Sequence, residues 1–107
     1  MITIDDFKKL EIKIGKVKSV EKVPNTDKLL RFIFEVGDEE RQIIAGVAQS
    51  FTDLDSLIGK EMPILTNLEP RTLRGYESRG MLMVINAGDH FVPLHPAKEV
   101  PSGSVVG

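Results

Sequence analysis

Short segments in which apolar and polar residues alternate are the feature that most constrains the fold of this chain. Leu10, Ile12 and Ile14 alternate with charged residues, and the same period returns over residues 30–36. A period of two is typical of β-strands that bury only one face. The apolar phase shifts after Gly15, which predicts a bulge or sharp bend in a long first strand, as small barrels require.

Three further strands are predicted downstream. An acidic turn over residues 37–40 leads into an apolar strand over residues 42–45, so the second and third strands form a hairpin. Residues 62–65 predict a fourth strand, with Pro63 near its start. Residues 81–85 are continuously apolar and predict a strand that is buried on both faces.

A short helix is predicted between the third and fourth strands. Thr52 or Asp53 can cap it, and we expect it to run through Leu57 and to end near Gly59. One helix at this place in an otherwise all-β chain favours an OB-fold, a five-stranded Greek-key barrel. A chain of 107 residues suits one modest core, so residues 1–107 are predicted to form a single OB-fold domain.

Several classes of function are disfavoured by what the sequence lacks. There is no cysteine, and no acid-rich ligand set accompanies His90 and His95, so we predict no metal site. Neither glycine-rich nucleotide fingerprint is present, and no cofactor or small-molecule substrate is expected. Ser78 has no His–Asp relay nearby, which argues against the alternative of a small enzyme, and we predict no catalytic residue. No membrane span or signal peptide is recognisable, and we predict a cytoplasmic protein.

The charges are unevenly distributed along the chain, although the net charge is only −2. Residues 8–31 carry eight basic and three acidic side chains, whereas residues 35–55 carry six acidic side chains and Arg41 as the only basic one. An acidic half could therefore turn away while a basic half faces a polyanion. The alternating lysines could equally mark the solvated side of a strand. The two interpretations are compatible, because RNA would bind on a solvated side.

Residues 67–81 carry the strongest candidate site. Three arginines lie in this short segment, and one proline and two glycines break it, so guanidinium groups on a turn can fan out toward phosphates. Ser78 adds a hydroxyl, and Met81 adds a soft apolar surface for a base. The alternative is a solvated hairpin in which Glu69 and Glu77 balance the charge. The arginines are Arg71, Arg74 and Arg79, and the breaks are Pro70, Gly75 and Gly80.

The order of residues in this segment resembles the signature of the tRNA-binding-domain family. That family includes stand-alone dimeric tRNA-binding proteins, the C-terminal domain of methionyl-tRNA synthetases and the endothelial-monocyte-activating polypeptide domain. Two departures are Thr72, where relatives usually carry Lys, and Val23-Pro24, which replaces the usual His-Pro. The matching positions are Asn67, Pro70, Arg74-Gly75, Ser78 and Gly80-Met81, together with Gly15, Asp27-Lys28-Leu29, Val36, Arg41-Gln42-Ile43, Gly46, Gly59-Lys60 and Pro101-Ser102-Gly103.

The resemblance implies a non-catalytic domain that binds tRNA by shape and phosphate backbone, with little sequence specificity. Elementary physics supports RNA in general, because Lys and Arg neutralise phosphates while apolar surfaces hold unpaired bases. The specification of tRNA comes from the resemblance alone. Tyr76 is the one aromatic residue that we expect to be available for stacking. The predicted RNA-binding residues are Lys28, Asn67, Arg71, Arg74, Ser78 and Met81.

The resemblance also implies a biological context and a homodimer. The favoured context is the C-terminal domain or appended subunit of methionyl-tRNA synthetase, with its catalytic part as a partner; the alternative is a stand-alone tRNA-binding or chaperone-like protein. Residues 91–107 are predicted to be a C-terminal extension that forms the dimer interface. Two other possibilities are that this extension closes its own barrel, and that the chain is a dimerisation module with incidental RNA contact. The predicted interface residues are Phe91, Val92, Leu94, Val100, Val105 and Val106.

Overall fold

A long, bent first strand organises the sheet. The computed structural model describes residues 1–107. The elements in chain order are helix α1 (Ile4–Phe7), strands β1 (Ile12–Lys22), β2 (Leu30–Val36) and β3 (Glu39–Ala45), a 3₁₀ turn (Asp55–Leu57), and strands β4 (Glu61–Leu65), β5 (Arg71–Leu73), β6 (Tyr76–Ser78), β7 (Met81–Leu82), β8 (Val84–Asn86), β9 (Phe91–Pro93) and β10 (Val105–Val106). No helix is long and apolar enough to cross a membrane.

The bend in β1 comes from a bulge. The first half of β1 pairs with β4 and the second half with β2, and the register with β2 shifts between Val17 and Ser19. The bulge that we predicted at Gly15 therefore lies three residues later. Gly15 serves close packing instead, because a Cβ at this position would overlap the Ile64 side chain and lie 3.1 Å from Phe34.

The sheet curls until its two outer strands approach each other. Its strand order is β3-β2-β1-β4-β7, which is the five-stranded order of a partly open Greek-key barrel, and all its pairs are antiparallel. The gap between β3 and β7 is bridged where the Arg79 N–H donates to the Gln42 carbonyl at 2.8 Å. Arg41 clamps the same place by donating to the carbonyls of Thr66 at 2.8 Å and Arg79 at 3.1 Å. The predicted all-β, OB-type barrel is confirmed.

The alternation in β2 fills the barrel interior. Leu30, Phe32 and Phe34 are fully buried, and the two phenylalanine rings stack with centroids 5.2 Å apart. Ile43 from β3 and Ile64 from β4 belong to the same core cluster of 13 buried residues. Burial of these large side chains is the main stabilising contribution available to a chain of this size.

The apolar run over residues 81–85 is not one doubly buried strand, as predicted, but two short strands. β7 pairs with β4, and Met83 then donates its N–H to the Pro63 carbonyl before the chain leaves to form β8 with β9. Met81 and Ile85 are each nearly half exposed as a result. Pro63 lies in the middle of β4 rather than near its start. Its missing N–H costs no hydrogen bond to β1, because the N–H and the carbonyl of the opposite residue, Ile14, both bond to the C-terminal segment.

The predicted short helix is a single 3₁₀ turn. Asp53 accepts a bond from the Ser56 N–H at 3.4 Å, and Leu54 occupies the cap position without a side-chain bond. Of the two residues considered for the cap, Asp53 makes hydrogen bonds to the turn and Thr52 makes none.

The C-terminal segment folds back onto the barrel through one buried carboxylate. Glu61 is only 7% exposed, and it accepts the Val100 N–H at 2.8 Å. His95 Nδ1 lies 2.8 Å from the Glu61 backbone carbonyl and donates to it. The end of the segment then pairs as β10 with β1.

We expect Glu61→Ala to destabilise the protein by about 1–3 kcal/mol, because it leaves the partly buried Val100 N–H without its acceptor. Glu61→Gln is the matched control, since its amide oxygen can still accept that bond. Urea unfolding followed by circular dichroism measures both. Equal midpoints for the alanine variant and the wild type would show that the Glu61 anchor contributes nothing.

Candidate nucleic-acid interface

The predicted arginine segment forms a hairpin whose tip is Arg74. β5 and β6 pair with Leu73 opposite Tyr76, so Arg74 and Gly75 are the two turn residues. Both have positive φ, at 52° and 85°, which is the type I′ conformation that suits a two-residue hairpin loop. Arginine is disfavoured at this first position relative to Asn or Gly, by about 1 kcal/mol. The turn presents the Arg74 guanidinium at the exposed tip at the cost of this backbone strain. Strain of this kind indicates a role beyond folding.

The hairpin tip faces the loop between β1 and β2. Arg74 and Lys28 line the same polar groove of about 390 Å³, although they are far apart in sequence. Both are exposed, and neither has an acidic partner within ion-pair distance. The other residues that line the groove are Asn25, Thr26, Asp27 and Leu29.

The hairpin is held on the barrel by polar side chains at its base. The Ser78 hydroxyl accepts the Ile44 N–H at 3.0 Å and donates to the Gly80 carbonyl at 3.2 Å. Ser78 is only 4% exposed, and both of these hydroxyl bonds are made within the protein. Tyr76, which we expected to be free for stacking, lies against Arg31, with the guanidinium carbon 5.6 Å from the ring centroid.

Asn67 is exposed, but its side chain ties the N-terminal segment to the end of β4. Its amide oxygen accepts the Glu11 N–H at 2.9 Å, and its amide nitrogen donates to the Lys9 carbonyl at 2.7 Å. The structure therefore gives the predicted site residues Asn67 and Ser78 interactions with this chain's own backbone, and it leaves the other four exposed.

A second, apolar groove of about 740 Å³ opens beside the hairpin base and receives Arg71 and Met81. Met81 is 48% exposed, and Arg71 has no acidic partner within ion-pair distance. Gly80 brings the chain to this rim, since its φ is +137° and a Cβ would lie 2.9 Å from the Leu65 carbonyl. We call Lys28, Arg71, Arg74 and Met81 the hairpin face.

The basic and acidic segments of the sequence, which one interpretation placed on opposite halves of the molecule, come into contact in the fold. β3 folds beside β2, which brings Glu40 into contact with Lys18, and this ion pair raises the Lys18 pKa. Arg31 pairs with Glu21 at 2.6 Å. Eight cations have no acidic partner within ion-pair distance. Three of them, Lys28, Arg71 and Arg74, belong to the hairpin face. The other five are Lys8, Lys13, Lys22, Lys60 and Lys98.

Sequence reasoning noted Arg41 only as a position of the family signature and did not predict the structural role that it has here. Arg41 pairs with Glu39 at 2.7 Å and lowers the pKa of that carboxyl, while its Nη1 bridges the ends of β4 and β6. An arginine alone in an acidic run is the signal that could have predicted such a structural role. No group of three or more His, Asp or Glu side chains is arranged to hold a metal ion.

These features define a class of protein: an OB-type barrel in which unpaired cations lie on two loops. One loop joins β1 and β2, and the other is the β5–β6 hairpin, which precedes β7, the fifth strand of the barrel. OB folds bind oligonucleotides with these two loops. The chain matches the family described as "Putative tRNA binding domain" over residues 12–105, and it belongs to that family. The resemblance seen in the sequence is thereby confirmed.

Known relatives agree with this membership. Over an aligned region of 105 residues, the chain is 45% identical to methionine–tRNA ligase of Thermotoga maritima. This region makes up 98% of this chain and 16% of that protein. The MetRS related protein from Pyrococcus horikoshii is 35% identical, with a TM-score of 0.93 over 100% of this chain and 98% of that one. The CsaA chaperone protein from Picrophilus torridus shares the fold, with a TM-score of 0.89 at 24% identity over 100% of both chains.

Proposed function

We propose that the chain is a non-catalytic domain that binds tRNA with its hairpin face. The observation that carries this proposal is the convergence of Lys28 and Arg74 on one groove, with no acidic partner for either. Exposed cations without partners are free to contact phosphates, and contacts to phosphates recognise shape and backbone instead of sequence. Membership of the tRNA-binding-domain family specifies tRNA as the nucleic acid.

Within this proposal the six predicted residues divide into two groups. Lys28, Arg71 and Arg74 contact phosphates, and Met81 offers an apolar surface to a base. Asn67 and Ser78 position the hairpin face, because their polar atoms bond backbone groups of the chain itself. Among these residues, Arg74 at the hairpin tip should contribute most to phosphate binding.

Electrophoretic mobility shift with total tRNA, at several salt concentrations, tests the proposal. If the three cations of the hairpin face each contact a phosphate, the logarithm of affinity should fall with the logarithm of salt concentration at a slope of about −2 to −3 per protomer. Duplex DNA of similar length is the control ligand and should bind more weakly. An affinity that does not change with salt would contradict binding through phosphates.

We also propose that the chain serves methionyl-tRNA synthetase as its C-terminal domain or as an appended subunit. The support is its identity to methionine–tRNA ligases, of which it spans 16% in length. The proposed partner is the catalytic part of that enzyme, to which the domain would bring additional tRNA affinity. The alternative context is a stand-alone protein, which the near-complete match to the Pyrococcus horikoshii protein favours.

A homodimer is the second part of the proposal, and the exposed apolar residues near both chain ends support it. α1 buries none of its residues, and β10 has Val105 at 76% exposed. Gly107 approaches Phe7, so the two chain ends lie side by side. Exposed apolar groups clustered on a small barrel are typical of an interface. The patch comprises Ile2, Ile4, Val105 and Val106, which we call the terminal patch.

The remaining predicted interface residues contact their own barrel. Phe91 packs against the core cluster, and Phe91, Val92, Leu94 and Val100 are all partly buried. Residues 91–100 therefore contact this chain's own barrel, and the proposed homodimer would use Val105 and Val106, which are exposed.

A further inference from the structure

We propose that the apolar groove beside the hairpin receives an unpaired base of the bound RNA. This inference rests on the proposed tRNA binding and adds a subsite to it. The groove has a volume of about 740 Å³, within the range of ligand sites in proteins. Its walls are the end of β3, the base of the hairpin and the strands β7 to β9.

Two apolar side chains stand at the rim of this groove. Leu68 is 44% exposed and Met81 is 48% exposed, although each could bury its side chain if the groove were filled. A flat base that enters between them gains apolar contact on its face, as unstacked bases do between apolar or aromatic side chains in other proteins. Leu82 and Phe91 lie deeper and extend the apolar lining.

Charge favours a nucleotide over a purely apolar occupant. Arg71 lines the groove and has no acidic partner within ion-pair distance, so a phosphate can bind there while its base enters. Arg74 lies on the same hairpin, at the polar groove, and can hold the next part of the backbone. The one acidic lining residue, Glu69, is exposed to solvent.

The lining offers little to read the identity of the base. Ser78 is the only hydroxyl residue of the groove, and its hydroxyl is already bonded to Ile44 and Gly80. Recognition would therefore discriminate unpaired from paired bases rather than one base from another. Loops and single-stranded ends of an RNA present such bases, whereas a duplex does not.

Gly46 allows the groove to be filled without strain. It lines the groove, its φ is not positive, and no atom lies within 4 Å of a Cβ built at its position. Gly46 also lines a smaller neighbouring groove, so Gly46→Leu should narrow the apolar groove from that end. Lys28 and Arg74 line the separate polar groove and should be unaffected. Ala97→Leu is the matched control, because Ala97 lines a different groove that shares no residue with this one.

The experiment uses a single-stranded RNA oligonucleotide that contains 2-aminopurine, whose fluorescence reports unstacking and burial of that base. We expect the wild type and Ala97→Leu to change the fluorescence on binding. Gly46→Leu should lose this change and bind the oligonucleotide about ten- to a hundredfold more weakly. Leu68→Ser, which removes one rim residue, should weaken binding in the same direction and covers the case in which Gly46→Leu fails to fold.

The outcomes separate this inference from the proposed function. If the wild type binds total tRNA but Gly46→Leu and Leu68→Ser match it in both affinity and fluorescence, the base subsite is overturned and tRNA binding stands. If an apolar peptide occupies the groove without displacing RNA, the groove is a peptide site and the inference also fails. If the wild type does not bind tRNA at any salt concentration, the proposed function itself is wrong.

Discussion

Arg74→Asn should lower the affinity for tRNA by about 10- to 100-fold and leave the protein as stable as before or slightly more stable. The loss of affinity follows because a charged hydrogen bond to phosphate is worth about 1.5–3 kcal/mol. The gain in stability follows because Arg74 has a φ of 52°, and Asn is among the residues preferred at that position of a type I′ turn. We expect the free energy of unfolding to rise by up to about 1 kcal/mol.

Opposite effects on affinity and stability make this substitution informative. Arg79→Asn is the matched control: Arg79 belongs to the same segment, but its side chain already faces Glu77 at 3.9 Å. It should change tRNA affinity much less. Filter binding measures affinity, and thermal unfolding measures stability. An Arg74→Asn variant that keeps full affinity would remove Arg74 from the interface, and one that unfolds early would make Arg74 structural.

Val105→Asp should convert the proposed dimer into a monomer and lower the tRNA affinity by about 100-fold or more. A dimer presents two hairpin faces on one particle, and linked sites gain affinity without new contacts. Val105 is 76% exposed, so an aspartate there costs the isolated protomer little, whereas two buried aspartates would oppose the dimer.

The control for the dimer experiment is Ile85→Asp. Ile85 is an apolar residue that is 45% exposed and lies on β8, which pairs with β9 rather than with β10 of the terminal patch. Light scattering at micromolar concentration gives the mass of each variant. A wild type with the mass of a single chain would end the dimer hypothesis. A monomeric Val105→Asp variant that binds tRNA as tightly as the wild type would show that one hairpin face is sufficient.

The sequence predicted the barrel well because one rule, burial of alternate residues, acts along each strand separately. Phe32 and Phe34 both point inward, as their alternation required. The same rule failed at residues 81–85, where the chain leaves β4 for a new partner that a local pattern cannot reveal. The bulge position also escaped prediction, because it depends on the pairing of β1 with β2 rather than on Gly15 itself.

The candidate site was only partly predictable, for a different physical reason. A serine hydroxyl or an asparagine amide can bond a ligand or the protein's own backbone, and residue type does not distinguish the two. Ser78 and Asn67 were expected to contact RNA, yet their polar atoms bond this chain's backbone. The convergence of Lys28 with Arg74 depends on folding the first loop against the hairpin, which no spacing in the sequence displays.

Cross-linking from the hairpin tests the central claim most directly. Thr72 is exposed on β5 within the hairpin, and Ala97 is exposed on a groove that shares no residue with the hairpin face. A photo-reactive residue would be placed at either position, and the protein would be irradiated with tRNA. We predict tRNA cross-links from position 72 that disappear at high salt, and few from position 97. Efficient cross-linking from position 97 with none from position 72 would contradict the hairpin face as the tRNA-binding surface.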